Sequence, residues 1–322
     1  MNEAYSSPTQ SGQTLVAGLP STSISALPPR VKRRRRITWL HLPALVYMLV
    51  LTQIPFVLSV WFSLHSWNLL QPDLGFPFVG LSNFVNEFTA DPDFWPVIGH
   101  TIELVFGATL LALVAGTILA LLLNRPIWGR NILRGLVTVP FLVTPSVMAL
   151  VWKNLMLSPD FGLIDWSLRA VGLPAIPWFS SFPLESVTFI VAWEWTPFVM
   201  LVLLAGLQAI PGEVIEAAKV DGTTPWATFW WIIFPMLRRS YEVALLFGTI
   251  FIFQTFGEIY LTTGGGPGVA TNTLPYYTYK TAFGAWQIGQ ASALGVIGVA
   301  IAILAARAML RFTADNSPEE RS

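Results

Sequence analysis

Cysteine is absent from the 322-residue chain, and charged residues are scarce at 11%. The lack of cysteine excludes disulfides, thiolate nucleophiles and cysteine-based zinc sites. A typical soluble protein carries about 25% charged residues, so this composition argues against a soluble domain. Apolar residues make up 54% of the sequence. The chain is therefore predicted to be an all-α, polytopic membrane protein.

Groups that commonly carry catalysis are also sparse. The three histidines, His41, His65 and His100, are far apart in the sequence, and no Ser-His-Asp or paired-carboxylate spacing stands out. We therefore predict no catalytic residue and no metal site. The glycine-rich stretch at 264–268 lacks the Lys-Ser/Thr of a phosphate-binding loop, which predicts a turn there. ATP hydrolysis, if it drives this protein, is expected in another chain.

Six apolar runs predict six transmembrane helices. Each is close to the roughly 20 residues that a helix needs to cross a bilayer. Pro140, Pro145 and Pro197 fall inside runs, where neighbouring helices can satisfy the carbonyl groups that proline frees. The runs cover residues 37–64, 101–123, 135–157, 186–208, 241–262 and 288–310.

The two ends of the chain differ from the predicted six-helix domain at 37–310. Residues 1–36 are predicted to be a disordered basic tail, since they combine a Ser/Thr/Pro/Gly-rich stretch with a block of arginines. Residues 311–322 are predicted to be a short second tail. Most of the 18 Lys and Arg residues fall in these tails and in the segments after the second and fourth runs. The positive-inside rule then places both termini in the cytoplasm.

The stretch EAAKVDGTTPWATFWWIIFP, which begins at Glu216, lies between two of the long runs. It predicts two short helices with a break, on the cytoplasmic side. Pro211 favours a helix start, Gly222 favours a left-handed residue that closes this helix, and Thr223 or Thr224 can cap the next helix. A plain amphipathic linker at the membrane surface is the alternative. It explains the aromatic residues well, but it does not explain the small alanines beside two acids.

The pattern Glu-Ala-Ala-x-x-Asp-Gly from Glu216, followed by Phe229, Ile232 and Pro235, resembles the EAA loop of binding-protein-dependent ABC transporter permeases. In that family the loop forms a coupling helix that docks into the nucleotide-binding subunit. The resemblance implies a coupling loop at 209–240. Thr223 departs from the alanine that the family usually has there. The residues implied to contact the ATPase are Glu216, Ala217, Ala218, Asp221, Gly222 and Thr223.

Two further stretches are similar to sugar-type permeases of the maltose and glycerol-3-phosphate kind. They are PALVYMLVLTQIPFVLSVWFSLHSWNL, followed by FVGLSNF, and LTTGGGPGVATNTLPYYTYKTAF. The resemblance implies a MetI-like permease in the bacterial inner membrane, the first of two unlike permease subunits. It also implies three kinds of partner: a second permease, two ABC subunits that bind ATP and Mg, and an external substrate-binding (lipo)protein. No cofactor in this chain and no nucleic-acid partner are expected.

A sugar or polyol cargo needs hydrogen-bond partners and flat apolar faces. Sugar permeases that resemble this chain line their cavity from the helices before and after the coupling loop, and both predicted helices offer such side chains. The predicted substrate path consists of Trp193, Glu194, Trp195 and Phe198 before the loop, and Phe251, Gln254, Thr255 and Glu258 after it.

Two other functions are open at this point. An ion-gradient-driven secondary transporter would use Glu194 or Glu258 as a proton site, since ionisable residues within spans often mark a pathway. Both glutamates can instead make interhelical hydrogen bonds or lie at the outer interface. A membrane-embedded enzyme would need a cluster of acid, base or metal-ligand side chains on one membrane face. Lys153 and Glu103 lie nearer span ends, where they can snorkel to the surface.

Overall fold

The structure, a computed structural model, describes residues 38–314, with side chains described over 42–311. The predicted tail at 1–36 and most of the tail at 311–322 lie outside these residues. Apart from the first part of the first helix, the features discussed below belong to one compact unit, residues 53–322. The described residues form helices and no named strand: α1 (Thr38–Ser63), α2 (Ser82–Thr89), α3 (Phe94–Asn124), α4 (Arg130–Leu142), α5 (Pro145–Val151), α6 (Leu163–Ala170), α7 (Trp178–Ser181), α8 (Pro183–Ala209), α9 (Gly212–Val220), α10 (Pro225–Thr228), α11 (Phe234–Met236), α12 (Arg238–Ile252), α13 (Gly257–Thr262), α14 (Leu274–Tyr279) and α15 (Ile288–Ala314).

Three π-helical turns follow short helices, at Trp152–Met156 after α5, at Phe229–Ile233 after α10 and at Lys280–Gly284 after α14. Each continues the helix before it with looser coiling. Such turns are uncommon and often occur at functional sites.

Four helices in the described range are long and apolar enough to cross a membrane, at Leu42–Ser63, Phe94–Asn124, Pro183–Ala209 and Ile288–Arg311. They confirm helices at four of the six predicted runs. A fifth span results if α4, α5 and the π-helical turn after α5 are counted as one. The total of six spans and the cytoplasmic location of the termini stay predictions.

The third predicted run is not one straight helix. The segments Arg130–Leu142 and Pro145–Met156 meet at an angle of 102°. Thr144 is extended, with a ψ of 140°, because a residue before proline is pushed out of the helical region. Val143 before it is extended as well, with a ψ of 142°. Pro140 and Pro197 do lie inside helices as expected. The expectation that Pro145 lies inside a continuous helix is wrong.

The fifth predicted run, 241–262, is also interrupted. Its residues form two helices, of which α12 ends at Ile252 and α13 begins at Gly257. The residues between them include the polar pair Gln254 and Thr255, and Phe256 has a non-helical φ of −139°. The 15 residues of α12 span about 22 Å, less than the hydrocarbon thickness of roughly 30 Å. The prediction of an unbroken helix here is therefore wrong.

The core forms where α3 and α8 pack side by side in the same direction. Leu104 clusters with Val187 near the start of both helices, and Leu123 clusters with Leu207 near their ends. A Cβ on Gly116 would lie 2.7 Å from Cγ1 of Val199, so glycine permits this close approach. The end of α3 and the start of α9 consequently share one end of the molecule, which we call the coupling end.

Basic and acidic residues lie at opposite ends of α3. Arg125 and Arg130 follow α3 at the coupling end, whereas Asp91 and Asp93 precede α3 at the opposite end. This distribution agrees with the predicted orientation, in which the basic end faces the cytoplasm.

Candidate functional site

The predicted break in the coupling loop has well-defined geometry. Gly222 has a φ of +72°, in the left-handed region that favours glycine. Its amide donates to the Lys219 carbonyl and the Thr223 amide donates to the Ala218 carbonyl, each at 3.1 Å. These two bonds form a Schellman motif, which satisfies carbonyl groups at the end of α9. The predicted role of Gly222 in closing this helix is confirmed.

The next helix begins as the sequence predicts, but the two threonines have separate roles. Thr224 caps α10, because the Ala227 amide donates to its Oγ1 at 3.3 Å. The Thr223 hydroxyl donates to the Ala218 carbonyl at 2.8 Å and lies 2.8 Å from the hydroxyl of Thr228. Thr223 therefore ties α9 to α10, a role that sequence reasoning missed. A second threonine five residues after Thr223, at Thr228, was the available signal.

The corner between α9 and α10 presents an exposed surface of mixed character. Glu216, Ala217 and Asp221 are exposed, and Val220 is 87% exposed. Ala218, which the resemblance implies is an ATPase contact, is buried at 3% exposure. This alanine lies on the inner face of α9, where its small side chain permits close packing.

Three of the predicted path residues meet in a cluster. The rings of Trp195 on α8 and Phe251 on α12 stack with centroids 5.4 Å apart, and Phe198 lies 5.8 Å from Trp195. Phe141 of α4 contacts both α8 rings, at 5.6 and 5.7 Å, and Phe247 lies 6.3 Å from Phe198. We call these five residues the central aromatic cluster. Sequence reasoning missed Phe141 and Phe247, because no local pattern brings α4 against α8.

The two glutamates that the sequence singles out also meet. Glu194 and Glu258 are 6% and 4% exposed, and their carboxyl groups adjoin each other. Oε2 of Glu194 has no hydrogen-bond partner among the described residues. Thr255, at the break after α12, is buried as well. The structure thus buries Glu258 of α13 beside Glu194 of α8, a contact between two helices as one of the alternatives expects.

Two predicted path residues lie elsewhere. Trp193 is 46% exposed and faces Trp152 at 5.9 Å. Gln254 is exposed to a cavity between α12 and α15. Neither joins the central aromatic cluster, and the path proposed below does not depend on them.

Lys153 has specific partners within the protein. Its Nζ donates to the carbonyl groups of Leu261 and Thr262, at 3.1 and 2.6 Å. Lys153 lies in the π-helical turn after α5, and its charge meets the carboxyl end of α13. The expectation that Lys153 snorkels to the membrane surface is therefore wrong.

A polar cavity of about 400 Å³ lies at the end opposite the coupling end. The Tyr277 hydroxyl donates to Oδ2 of Asp91 at 2.7 Å, and Glu87 is 4% exposed beside them. Burial, and then the neighbouring charge of Asp91, raise the pKa of Glu87 to about 8. Among the side chains that the structure describes, no group of three or more His, Asp or Glu could hold a metal ion.

Comparison with known proteins identifies the family. Residues 112–315 match the model of the binding-protein-dependent transport system inner membrane component. The chain is 36% identical over 275 residues to the trehalose/maltose transport system permease protein MalF of Thermococcus litoralis, covering 84% of this chain and 89% of the relative. It is 35% identical over 237 residues to the sn-glycerol-3-phosphate transport system permease protein UgpA of Brucella suis, covering 73% and 80%.

A solved structure shows the same fold. It is a bacterial alginate ABC transporter in complex with an alginate pentasaccharide-bound periplasmic protein, and one of its chains aligns with a TM-score of 0.70 at 21% identity. The alignment covers 85% of this chain and 92% of that chain. These findings do not support the ion-gradient-driven alternative. The chain belongs to the family of inner-membrane components of binding-protein-dependent transport systems, and it is a multi-pass permease subunit of an ABC importer, in which a separate subunit is the ATPase.

Proposed function

We propose that this permease subunit carries a sugar or related polyol across the plasma membrane. The carbohydrate and polyol cargoes in the names of its relatives support this class. In the proposed complex, a second permease of the same fold completes the pathway. Two ABC subunits bind ATP and Mg, and an external binding protein delivers the cargo.

The exposed corner at Gly222 is the observation that carries the coupling proposal. Glu216, Ala217, Asp221, Gly222 and Thr223 project from the end of the molecule at which α8 terminates. Ala218 positions them from the inner face of α9. An ATPase that grips this corner more tightly in one state of the transporter would convert ATP binding into a change of access.

The proposed substrate path runs past the central aromatic cluster and the Glu194–Glu258 pair. Aromatic faces pack against the C–H faces of sugars, and carboxyl groups accept hydrogen bonds from their hydroxyls. The break between α12 and α13 supports this location. Non-helical backbone at membrane depth is tolerated where it is buried in protein or lines a cavity.

The coupling proposal is tested with Gly222→Phe and the matched control Gly129→Phe. Both glycines have positive φ, at +72° and +77°, and a Cβ at either position meets no atom within 4 Å. Each replacement therefore carries similar backbone strain of about 1–2 kcal/mol, but only Gly222 lies in the coupling loop. We expect Gly222→Phe to abolish sugar uptake and its associated ATP hydrolysis, with normal amounts of membrane protein.

Uptake by Gly222→Phe that equals uptake by Gly129→Phe would contradict the coupling proposal. The importer assignment has its own test, which is purification of the wild-type complex in mild detergent. An ATPase subunit with a phosphate-binding loop should co-purify. Uptake that needs no such subunit and collapses with the ion gradient would instead favour a secondary transporter.

A further inference from the structure

Five aromatic side chains form a second group, separate from the central aromatic cluster. We call it the tyrosine patch. Its middle member is Tyr279, whose ring centroid lies between 5.0 and 6.3 Å from those of the other four. The patch consists of Phe256, Tyr260, Tyr276, Tyr279 and Phe283.

One side of the tyrosine patch is anchored and the other is open. Tyr276 is only 7% exposed and packs in a buried cluster with Leu104 and Leu184. Tyr260 is 47% exposed and Phe283 is 60% exposed. The core thus holds the rings in fixed positions while leaving aromatic faces free to contact another molecule.

The open side also carries paired polar groups. The hydroxyl of Tyr279 adjoins that of Tyr260, and the two rings are nearly perpendicular at 85°. A pyranose ring offers an apolar C–H face and a rim of hydroxyl groups. Flat aromatic faces bordered by hydroxyl donors and acceptors are complementary to both features.

The tyrosine patch lies next to the proposed substrate path. Phe256, Tyr279 and Trp195 all pack against the same buried cluster, so the patch adjoins the central aromatic cluster. Leu104 and Leu184 in that cluster belong to the starts of α3 and α8, away from the coupling end. A cargo that enters from the opposite end would therefore reach the tyrosine patch first.

We propose that the tyrosine patch is a second carbohydrate contact site, where a sugar ring packs on Tyr260 and Tyr279 before it reaches the central aromatic cluster. This inference rests on the proposed function as a sugar importer. The rings form consecutive surfaces along which a sugar can exchange one aromatic partner for the next. No single contact then has to be tight.

The test uses the whole transporter in cells that lack the native copy of this gene. Uptake of radiolabelled trehalose, maltose and sn-glycerol 3-phosphate is measured with the wild-type gene restored, and the probe that requires the gene is used. The double variant Tyr260→Ala/Tyr279→Ala removes both rings, whereas Tyr260→Phe/Tyr279→Phe keeps the rings and removes only the hydroxyls. Phe106→Ala is the control, since Phe106 is a 69% exposed aromatic on α3 outside the patch.

We expect the alanine pair to lower Vmax/KM by about tenfold, the equivalent of about 1.4 kcal/mol of contact. The phenylalanine pair should show a smaller loss, and Phe106→Ala none. Co-purification of the ATPase should stay unchanged in every variant. If the restored wild-type gene supports uptake of a probe and the alanine pair takes up that probe equally well, the patch proposal alone is overturned. Loss of ATPase co-purification in the alanine pair would also overturn it, because the patch would then be a contact between permease subunits. If none of the three probes needs this gene, the importer does not carry these three cargoes, and the patch proposal, which rests on them, is rejected.

Discussion

The ammonium nitrogen of Lys153 lies 2.6 Å from the carbonyl oxygen of Thr262, at the carboxyl end of α13. A helix leaves its last carbonyl groups without internal partners, and a cation there interacts favourably with the helix dipole. Lys153 therefore holds α13 against the π-helical turn after α5. Since α13 carries Glu258, this contact also fixes one half of the buried carboxyl pair.

Replacement of Lys153 by methionine should loosen α13. Methionine keeps most of the apolar stem but leaves the carbonyl groups of Leu261 and Thr262 without their donor, at a cost of about 1–3 kcal/mol. Hydrogen exchange in residues 257–264 should become faster. The control is Lys280→Met, because Lys280 is exposed. Equal exchange in the two variants would show that the Lys153 contact does not stabilise α13.

The stability of the complex should depend on the protonation of Glu87. The pKa of this group is raised to about 8 in the folded protein, from an ordinary value of 4.5. The folded state then binds more protons than the unfolded chain between these values, so stability falls as pH rises from about 4.5 to 8. Asp91, Asp93 and Tyr277 are the titratable neighbours.

Glu87→Gln removes this dependence. We expect the variant to unfold at a temperature a few degrees higher than wild type at pH 8–9, and at a similar temperature near pH 5. Thermal unfolding in lipid nanodiscs across this range provides the measurement. Glu185→Gln changes an exposed acid near the start of α8 and is the control. If the unfolding temperature of Glu87→Gln fell with pH as steeply as that of wild type, Glu87 would not be the source of the pH dependence.

Neighbouring tryptophans on α8 should differ sharply in their effect on transport. Trp195 stacks on Phe251 in the central aromatic cluster, whereas Trp193 faces Trp152. Trp195→Ala is expected to lower Vmax/KM for sugar by about tenfold or more, which corresponds to at least 1.4 kcal/mol of lost contact. Trp193→Ala should change it little. Uptake that falls equally in both variants would place the path elsewhere on α8.

Replacement by alanine should lower the stability of the protein at one glycine and raise it at another. At Gly116, a Cβ would lie 2.7 Å from the Val199 side chain and 3.0 Å from the Met200 amide nitrogen. Gly116→Ala should therefore force α3 away from α8 and destabilise the protein by about 1–3 kcal/mol. At Gly135 on α4 a Cβ meets nothing within 4 Å, and alanine there should stabilise the helix by up to about 1 kcal/mol. Thermal unfolding of both variants in nanodiscs measures the difference.

Much of this architecture could be predicted from local sequence signals. Long apolar runs located the four uninterrupted spans, because hydropathy and helix length depend on neighbouring residues alone. The corner at Gly222 was predictable for the same reason, since a left-handed glycine and a threonine cap are local choices.

The interruptions and the long-range contacts could not be predicted in this way. Pro145 lies in an apolar run just as Pro197 does, yet only the helix at Pro145 breaks, so the outcome depends on tertiary packing. The pairing of Glu194 with Glu258 and of Lys153 with Thr262 joins residues far apart in the chain. Neither pairing leaves a periodic signal in the sequence.

The length of α8 has a mechanical consequence. Its 27 residues form a rod about 40 Å long, with the central aromatic cluster near its midpoint and only two residues between its end and α9. A rigid tilt of roughly 10° displaces one end of such a lever arm by about 7 Å relative to the other. In the proposed importer, a small movement at the coupling end would then suffice to open or shut the proposed path near Trp195, without any change in the internal structure of the helix.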